Sequence, residues 1–283
     1  MQKLLIDGKK VLSGNINISG SKNSTLPILA ATILNNHTTI NNIPFVNDIF
    51  TMLNLLKFIG LKYKLSKKKN SVQVINSRKI INTVAPYKLV KTMRAGVLVL
   101  GPLLAKYGKA KVSLPGGCAI GTRPVDLHLF ALKKLGAKIK IKNGYIFASA
   151  TNGLKGTKFK FPSISVGATE NAILAAVQAK GTTVIDNCAV EPEIKDLINF
   201  LKKLQIKIKT KARQITIGGS VIEKKITHKV ICDRIELGTY LIGGALIAKK
   251  IKLKNIDSSL VKKEISILRK IYIKKYFKLG QNY

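Results

Sequence analysis

The feature that most restricts what this chain can fold into is a repeat. An Ala/Leu-rich run is followed by a short β-rich return, a second segment with apolar residues at helical spacing, and an alternating strand. SGSKNSTLPILAATIL opens the first copy, MRAGVLVLGPLLA the second, SVGATENAILAAVQA the third and DRIELGTYLIGGALIA a fourth. In the third copy residues 182–185 are the β-rich return, and Ile194, Leu197, Ile198, Leu201 and Leu204 mark the second helix. Alternating strands close the copies at residues 61–65, 137–141 and 206–209. Asp48 to Gly60, Pro124 to Gly136 and Glu193 to Gln205 are each twelve residues apart, bracketing the second helix and its stop. Glycine suits such a stop because it enters left-handed backbone freely, and Gln205 departs from that rule. Three such units, over about residues 21–232, predict a compact α/β domain of pseudo-symmetric βαβ-type subunits. Residues 1–20 with 233–283 are expected to form a partial second domain.

Charge sets the next bound. Fifty Lys+Arg stand against 13 Asp+Glu, a net +37, which suits a nucleic-acid or anionic-surface binder. The lysines run along the whole length, however, aromatic residues are 6% and there is no Trp. No compact basic cluster alternates with stacking rings in the linear sequence, so neither nucleic acid nor membrane is expected as a partner. A lysine-rich bias over solvated faces, which still favours anionic small ligands, is the alternative to a binding surface. The three cysteines, Cys118, Cys188 and Cys232, are too scattered for a disulfide framework or zinc site, so neither a metal nor a cofactor is expected. The N-terminus lacks a signal-like apolar core and no apolar run reaches membrane-spanning length, which predicts a cytoplasmic protein.

Residues 114–129, LPGGCAIGTRPVDLHL, hold a lone Cys118 among glycines with Arg123 and Pro124 behind it. Two readings fit. One is a turn with an incidental cysteine; the other is an exposed, mobile loop whose thiol has a tuned pKa, with Arg123 holding an anion beside it.

That run resembles the active-site loop of the UDP-N-acetylglucosamine 1-carboxyvinyltransferase family of enolpyruvyl transferases. SGSKNSTLP, MRAGVLVLGPLLA, SVGATEN, EPEI and DRIELGTYL resemble the same family in its order, so the likeness extends to about residue 256. It implies an inside-out, barrel-like α/β domain with helices inside and sheets outside. It also implies transfer of the enolpyruvyl group of phosphoenolpyruvate to the 3′-hydroxyl of UDP-N-acetylglucosamine with loss of phosphate, which opens peptidoglycan synthesis. Cys118 matches the family's proton donor, which can also add covalently to the substrate. Lys22, Asn23 and Arg123 match phosphoenolpyruvate contacts, with Lys22 and Arg123 in the catalytic set. Arg94, Arg123, Pro124, Val125, Asp126, Leu127, Ser163, Ile164, Ser165 and Val166 match positions that hold the sugar nucleotide. At Ser163 some relatives carry lysine, so one cationic contact differs here.

From the residues alone, Lys22 is either a surface lysine or an anion ligand at a helix start, and Arg94 either a helix-end bridge or a ligand contact. His128 is a lone histidine and falls outside the catalytic set. Glu191, Glu193, Asp233, Arg234 and Glu236 read as hinge or domain-interface charges. Beyond residue 256 the family's remaining repeats, which carry an aspartate base and further arginines, have no counterpart. The expectation is therefore a C-terminally truncated chain. It would be an active transferase, half of a split enzyme with a complementing C-terminal fragment, or a remnant that at most binds UDP-N-acetylglucosamine.

Overall fold

A computed structural model of the chain describes residues 3, 5, 8, 12–76, 82–91, 93–115, 125–219 and 223–271. Two compact units emerge. One is Ser21–Ile231; the other joins Met1–Gly20 to Cys232–Tyr283. In chain order, β1 (Leu12–Asn17) precedes the first repeat: α1 (Lys22–Ala31), β2 (His37–Asn41), α2 (Asn47–Ile59), β3 (Lys62–Ser66) and β4 (Ser71–Ile75). β5 (Val84–Ala85) and the one-turn α3 (Tyr87–Val90) lead to the second: a 3-10 turn (Arg94–Val99) continuing as α4 (Leu100–Tyr107), then β6 (Lys109–Ser113), α5 (Asp126–Lys134), β7 (Lys138–Lys142) and β8 (Tyr145–Ser149). β9 (Lys158–Lys160) leads to the third: α6 (Val166–Ala176), β10 (Thr182–Asp186), α7 (Pro192–Lys203), β11 (Lys207–Lys211) and β12 (Gln214–Gly218), after which comes β13 (Ile226–Lys229). The other unit adds α8 (Arg234–Ile247), β14 (Ala248–Lys254) and α9 (Lys262–Ile271).

The repeat is exact in register. Lys22, Arg94 and Val166 begin the three Ala/Leu-rich segments, successive starts 72 residues apart. Each repeat builds a four-stranded sheet of one design, ordered β13-β2-β4-β3, β5-β6-β8-β7 and β9-β10-β12-β11. In each, the first two strands are parallel and the others antiparallel. The parallel strand is the one that precedes the repeat, except in the first sheet, where β13 pairs with β2 from Ile226 opposite Thr38 to Lys229 opposite Asn41. The strand after the third repeat thus completes the first. Among the described residues the three sheets remain separate and stand around the buried helices, the arrangement of helices inside and sheets outside that was expected.

The Ala/Leu-rich helices lie inside. Ser24 to Ala31 of α1 and Ala168 to Ala176 of α6 are buried without a break, as a helix apolar on every face must be. Ser21 and Ser165 cap them, accepting from the N–H of Ser24 and Ala168. The second repeat differs from a simple helix: residues 94–99 form a 3-10 turn and the α-helix starts at Leu100. Nothing in the structure explains the difference, since α1 stays α-helical through Pro27, five residues after its start. At the helix stops Gly60 and Gly136 take left-handed backbone, φ +117° and +92°, and Gln205 is held in the same conformation at φ +63°. The position dictates the conformation, and the third repeat adopts it without the residue that would enter it freely.

A polar network that no local spacing announces joins the ends of this unit. Asp196 on α7 accepts from Ser24 Oγ of α1, from the backbone N–H of Ile231 at 3.2 Å, and from His228 Nε2 of β13 at 2.8 Å. The backbone N–H of Ser21 donates to the carbonyl of Ile231 at 2.8 Å. First and last residues of the unit are thereby fixed side by side.

The other unit holds the opening of the same plan, with a two-stranded sheet among the described residues. β1 pairs parallel with β14, and Asp233 caps α8 by accepting from Ile235 and Glu236 N–H. Ile18, Leu237, Leu241, Val261, Ile265 and Leu268 form its small core. The sequence of α8 is as apolar as that of α6, yet Ile235, Ile242, Leu246 and Ile247 are exposed.

Candidate active site

Of the expected site residues, Lys22, Asn23, Arg94, Ser165 and Val166 lie at the starts of the inner helical segments. Asn171 on α6 donates to the carbonyl of Val97 (3.1 Å) and accepts from the N–H of Gly101 (2.7 Å). The α6 helix and the rod from Arg94 through α4 therefore run parallel with level starts, and the repeat gives α1 the same direction. Three helix N-termini at one end present N–H groups and positive dipole ends that favour anions.

On α1, Lys22 lies in the first turn, its Nζ 3.0 Å from Asp48 Oδ2 of α2, and Asn23 beside it is exposed. Arg94 starts the second rod half-buried, with Nη2 enclosed and lacking a hydrogen-bond partner. An enclosed guanidinium nitrogen without an acceptor is costly, and an anionic ligand would relieve it. Ser163 and Ile164 are exposed in the loop before α6, Ser165 caps that helix, and Val166 is its first residue. Val125 is buried at the start of α5, where Asp126 is exposed and Leu127 half-buried. Asp126 in a first turn complements the helix dipole and needs no catalytic role. Cys118, Arg123 and Pro124, with most of the predicted mobile loop, lie outside the described residues.

Sequence reasoning left out two groups that the fold brings in. His128 of α5 packs against the start of α6, where a Cβ added at Gly167 would stand 3.2 Å from its Cε1. Its Nδ1 is 3.1 Å from Asn171 Nδ2. Since Gly101 N–H fixes the Asn171 oxygen, the Asn171 amide must donate to Nδ1, and the imidazole is neutral with its proton on Nε2. Burial agrees, lowering the His128 pKa to about 4. The second group is Glu170 on α6, whose pKa is raised well above the ordinary carboxyl value by burial and then by the nearby Glu193 and Glu191. Burial thus favours its protonated form. Neither group had a local signal, since the neighbours that act on each, beside burial, are 21 to 43 residues away.

The two described cysteines offer no nucleophile. Cys188 is buried, donates to the carbonyl of Ile185 and has its pKa pushed up to about 12 by burial. Cys232 is buried and accepts from the N–H of Asp257, and burial raises its pKa. Among the described residues no group of three or more His, Cys, Asp or Glu could hold a metal ion, and no helix is long and apolar enough to cross a membrane.

Residues 6–275 match the family model described as EPSP synthase (3-phosphoshikimate 1-carboxyvinyltransferase). The chain belongs to that family. Curated relatives divide it more finely. The chain is 55% identical to the UDP-N-acetylglucosamine 1-carboxyvinyltransferase of Pelagibacter ubique over 96% of its own length and 65% of the relative's. It is 51% identical to the protein of that name from Rickettsia akari, over 92% and 63%. It thus spans a little under two thirds of the length of these relatives. Among solved structures it resembles the enolpyruvyl transferase NikO from Streptomyces tendae, with a TM-score of 0.79 at 18% identity, covering 94% of this chain and 62% of that one. It also resembles an EPSP synthase from Acinetobacter baumannii, with a TM-score of 0.70 at 17% identity, covering 88% and 57%. These structural matches show an enolpyruvyl transferase fold, α/β throughout.

Proposed function

We propose that the chain carries the sugar-nucleotide and acid side of a UDP-N-acetylglucosamine 1-carboxyvinyltransferase, acting in the cytoplasm at the first committed step of peptidoglycan synthesis. The observation that carries this reading is the end of Ser21–Ile231 where three helix starts converge with Lys22 and an enclosed, unpartnered Arg94 nitrogen. Identity of 50% or more to proteins of that name supports the choice of substrate pair.

In this reading Arg94, Arg123 and the segments 124–127 and 163–166 hold the sugar nucleotide, the loops by backbone groups. Lys22, Asn23 and Arg123 hold phosphoenolpyruvate. Cys118 gives its proton to C3 while the sugar 3′-hydroxyl loses its proton to a base, the aspartate of the family's further repeats, and its oxygen bonds to C2, forming a tetrahedral adduct. Loss of a C3 proton then expels phosphate and restores the double bond. Once its proton is on C3, the Cys118 thiolate can bond to C2 in place of the sugar oxygen, giving the covalent adduct. The test is phosphate release from phosphoenolpyruvate by the purified chain, with and without UDP-N-acetylglucosamine, beside Cys118→Ser. Release that requires the sugar nucleotide and disappears with the thiol supports the assignment.

A second reading, favoured by the bare apolar residues of α8, is that activity needs further repeats packed on that helix. Since 273 residues are 65% of the Pelagibacter ubique relative, about 147 of its residues lie outside the match, close to two repeats of 72. Such repeats, supplied by the same polypeptide or by a complementing one, would cover α8 as the sister helices cover α6. Phosphate release that appears only when the corresponding segment of the relative is added distinguishes this reading.

A further inference from the structure

The outward face of the second sheet collects what the linear sequence keeps apart. Along β8, Tyr145 and Phe147 point outward while Ile146 and Ala148 point into the core. In the antiparallel ladders Phe147 lies between Lys140 of β7 and Lys111 of β6, Tyr145 between Lys142 and Ser113, and Ser149 between Lys138 and Lys109. Directly opposed residues share a face, so five lysines border two rings. The Lys111 ammonium stands over both rings, 4.8 Å from the Tyr145 centroid and 5.1 Å from that of Phe147. Tyr87 extends the row, its N–H donating to Tyr145 Oη at 3.2 Å and its own ring, 54% exposed, lying beneath Lys91.

Among the described residues no acid pairs with the lysines of this face. Between Asp48 and Glu170 the only acidic residue is Asp126, and among the described residues none of the five lysines forms an ion pair. Lysines on an edge strand also serve to block sheet-to-sheet pairing, and the sister sheets show that use by itself. Their edges carry Lys62 and Lys64, or Lys207, Lys209 and Lys211, but the residues paired with them are Ile75 and Gln73, or Gly218, Thr216 and Gln214. The lysine comb is common to the repeats. Rings between the lysines occur in the second sheet alone, among the described strands.

We propose that this face binds single-stranded nucleic acid, with bases stacked on Phe147 and Tyr145 and the backbone phosphates running along the lysines of β6 and β7. Stacking is tolerant of sequence because every base has a π-face, and a polyanion supplies the counter-charges that the face lacks. The ammonium of Lys111, between the rings, sits where a phosphate joining two stacked bases would pass.

The chain has no tryptophan, so Phe147→Trp places a single reporter in the platform. Titrating that full chain with a single-stranded oligo(U) 8-mer should quench the indole saturably. Affinity should fall with salt with a log–log slope of about −3 for four or five phosphate contacts. Fluorescence anisotropy with labelled oligo(U) then compares variants that keep the wild-type melting temperature. Tyr145→Leu with Phe147→Leu should weaken binding by about tenfold or more. Lys138, Lys140 and Lys142 changed to Gln should weaken it comparably, and the matched change at Lys207, Lys209 and Lys211 by less than threefold. The proposal is overturned by an unquenched indole, by equal losses from the two lysine triples (which would mean diffuse charge only), or by duplex binding as tight as single-strand binding. It is equally overturned if anionic phosphatidylglycerol vesicles shift the indole emission and the oligonucleotide does not, since the face would then be a membrane contact.

Discussion

Replacing Asn171 by Ala should be among the most damaging changes to the unit Ser21–Ile231. Its side chain is fully buried and serves three elements at once. Its Oδ1 accepts from Gly101, an N–H in the first turn of α4 that has no partner within that helix, so Asn171 acts as a cap supplied by another helix. Its Nδ2 donates to the Val97 carbonyl and to His128 Nδ1. Val97 keeps a second bond from Leu100 N–H, so the substitution strands two buried groups, the Gly101 N–H and the His128 nitrogen. At about 1–3 kcal/mol for each buried group left unmade, the expected loss is about 4 kcal/mol. That is a large share of the 5–15 kcal/mol typical of a whole domain. Urea unfolding at pH 7, followed by far-UV circular dichroism, reads it directly. A loss below about 1 kcal/mol would show that water or a shift of α4 replaces these bonds, and the account of α4 and α6 as one fixed pair would be wrong.

Four further outcomes follow from the same geometry. His128 has a folded pKa of about 4 against an ordinary 6.5, so the stability it contributes is present above pH 6.5 and lost as pH falls toward 4. Its share is at most about 3 kcal/mol. Urea midpoints of wild type and His128→Gln should therefore converge as pH drops from 7 to 4. Glu170 has the opposite sign, because its raised pKa penalises the fold once solution pH exceeds the unfolded carboxyl value. Glu170→Gln should thus raise the melting temperature more at pH 8 than at pH 4, and an equal shift at both would show that Glu170 is not held protonated. Gln205→Gly relieves left-handed backbone at the cost of chain entropy, for a net gain of about 0.5–1 kcal/mol in urea unfolding. Thiol titration of the native chain should find one fast cysteine, Cys118, with Cys188 and Cys232 reacting only after denaturant is added; a second fast thiol would contradict the burial of both.

Much of the fold was legible because the repeat ties pattern to position. The twelve-residue bracket marked the second helices, and alternating Lys/Ile runs marked the outer strands, because a half-buried strand must alternate. The 3-10 start at Arg94 was missed since its composition matches that of its sister helices, α1 carrying a proline of its own at Pro27. The candidate site was legible at Lys22, Arg94 and Ser165 as charged or capping residues at helix starts. His128, Asn171 and Glu170 were not, because their roles depend on helices packing across the repeats. The Ser24, Asp196 and His228 network was hidden for the same reason, its members being 172 and 32 residues apart. The rings of β8 become a cluster with Lys109 and Lys111 only once strands more than thirty residues apart are paired.

The pairing of β13 with β2 also has a history in time. As the polypeptide leaves the ribosome, β2 emerges with one edge unpaired, and the strand that covers it is 188 residues further on, Thr38 opposite Ile226. At roughly 5–20 residues per second that edge waits about 10–40 s. Throughout the interval an unpaired strand is open to other nascent chains, and Thr38, Thr39 and Asn41, polar residues on a short five-residue strand, limit what it can recruit. The second and third sheets have no such delay, since each receives its parallel strand before the rest of its repeat is made.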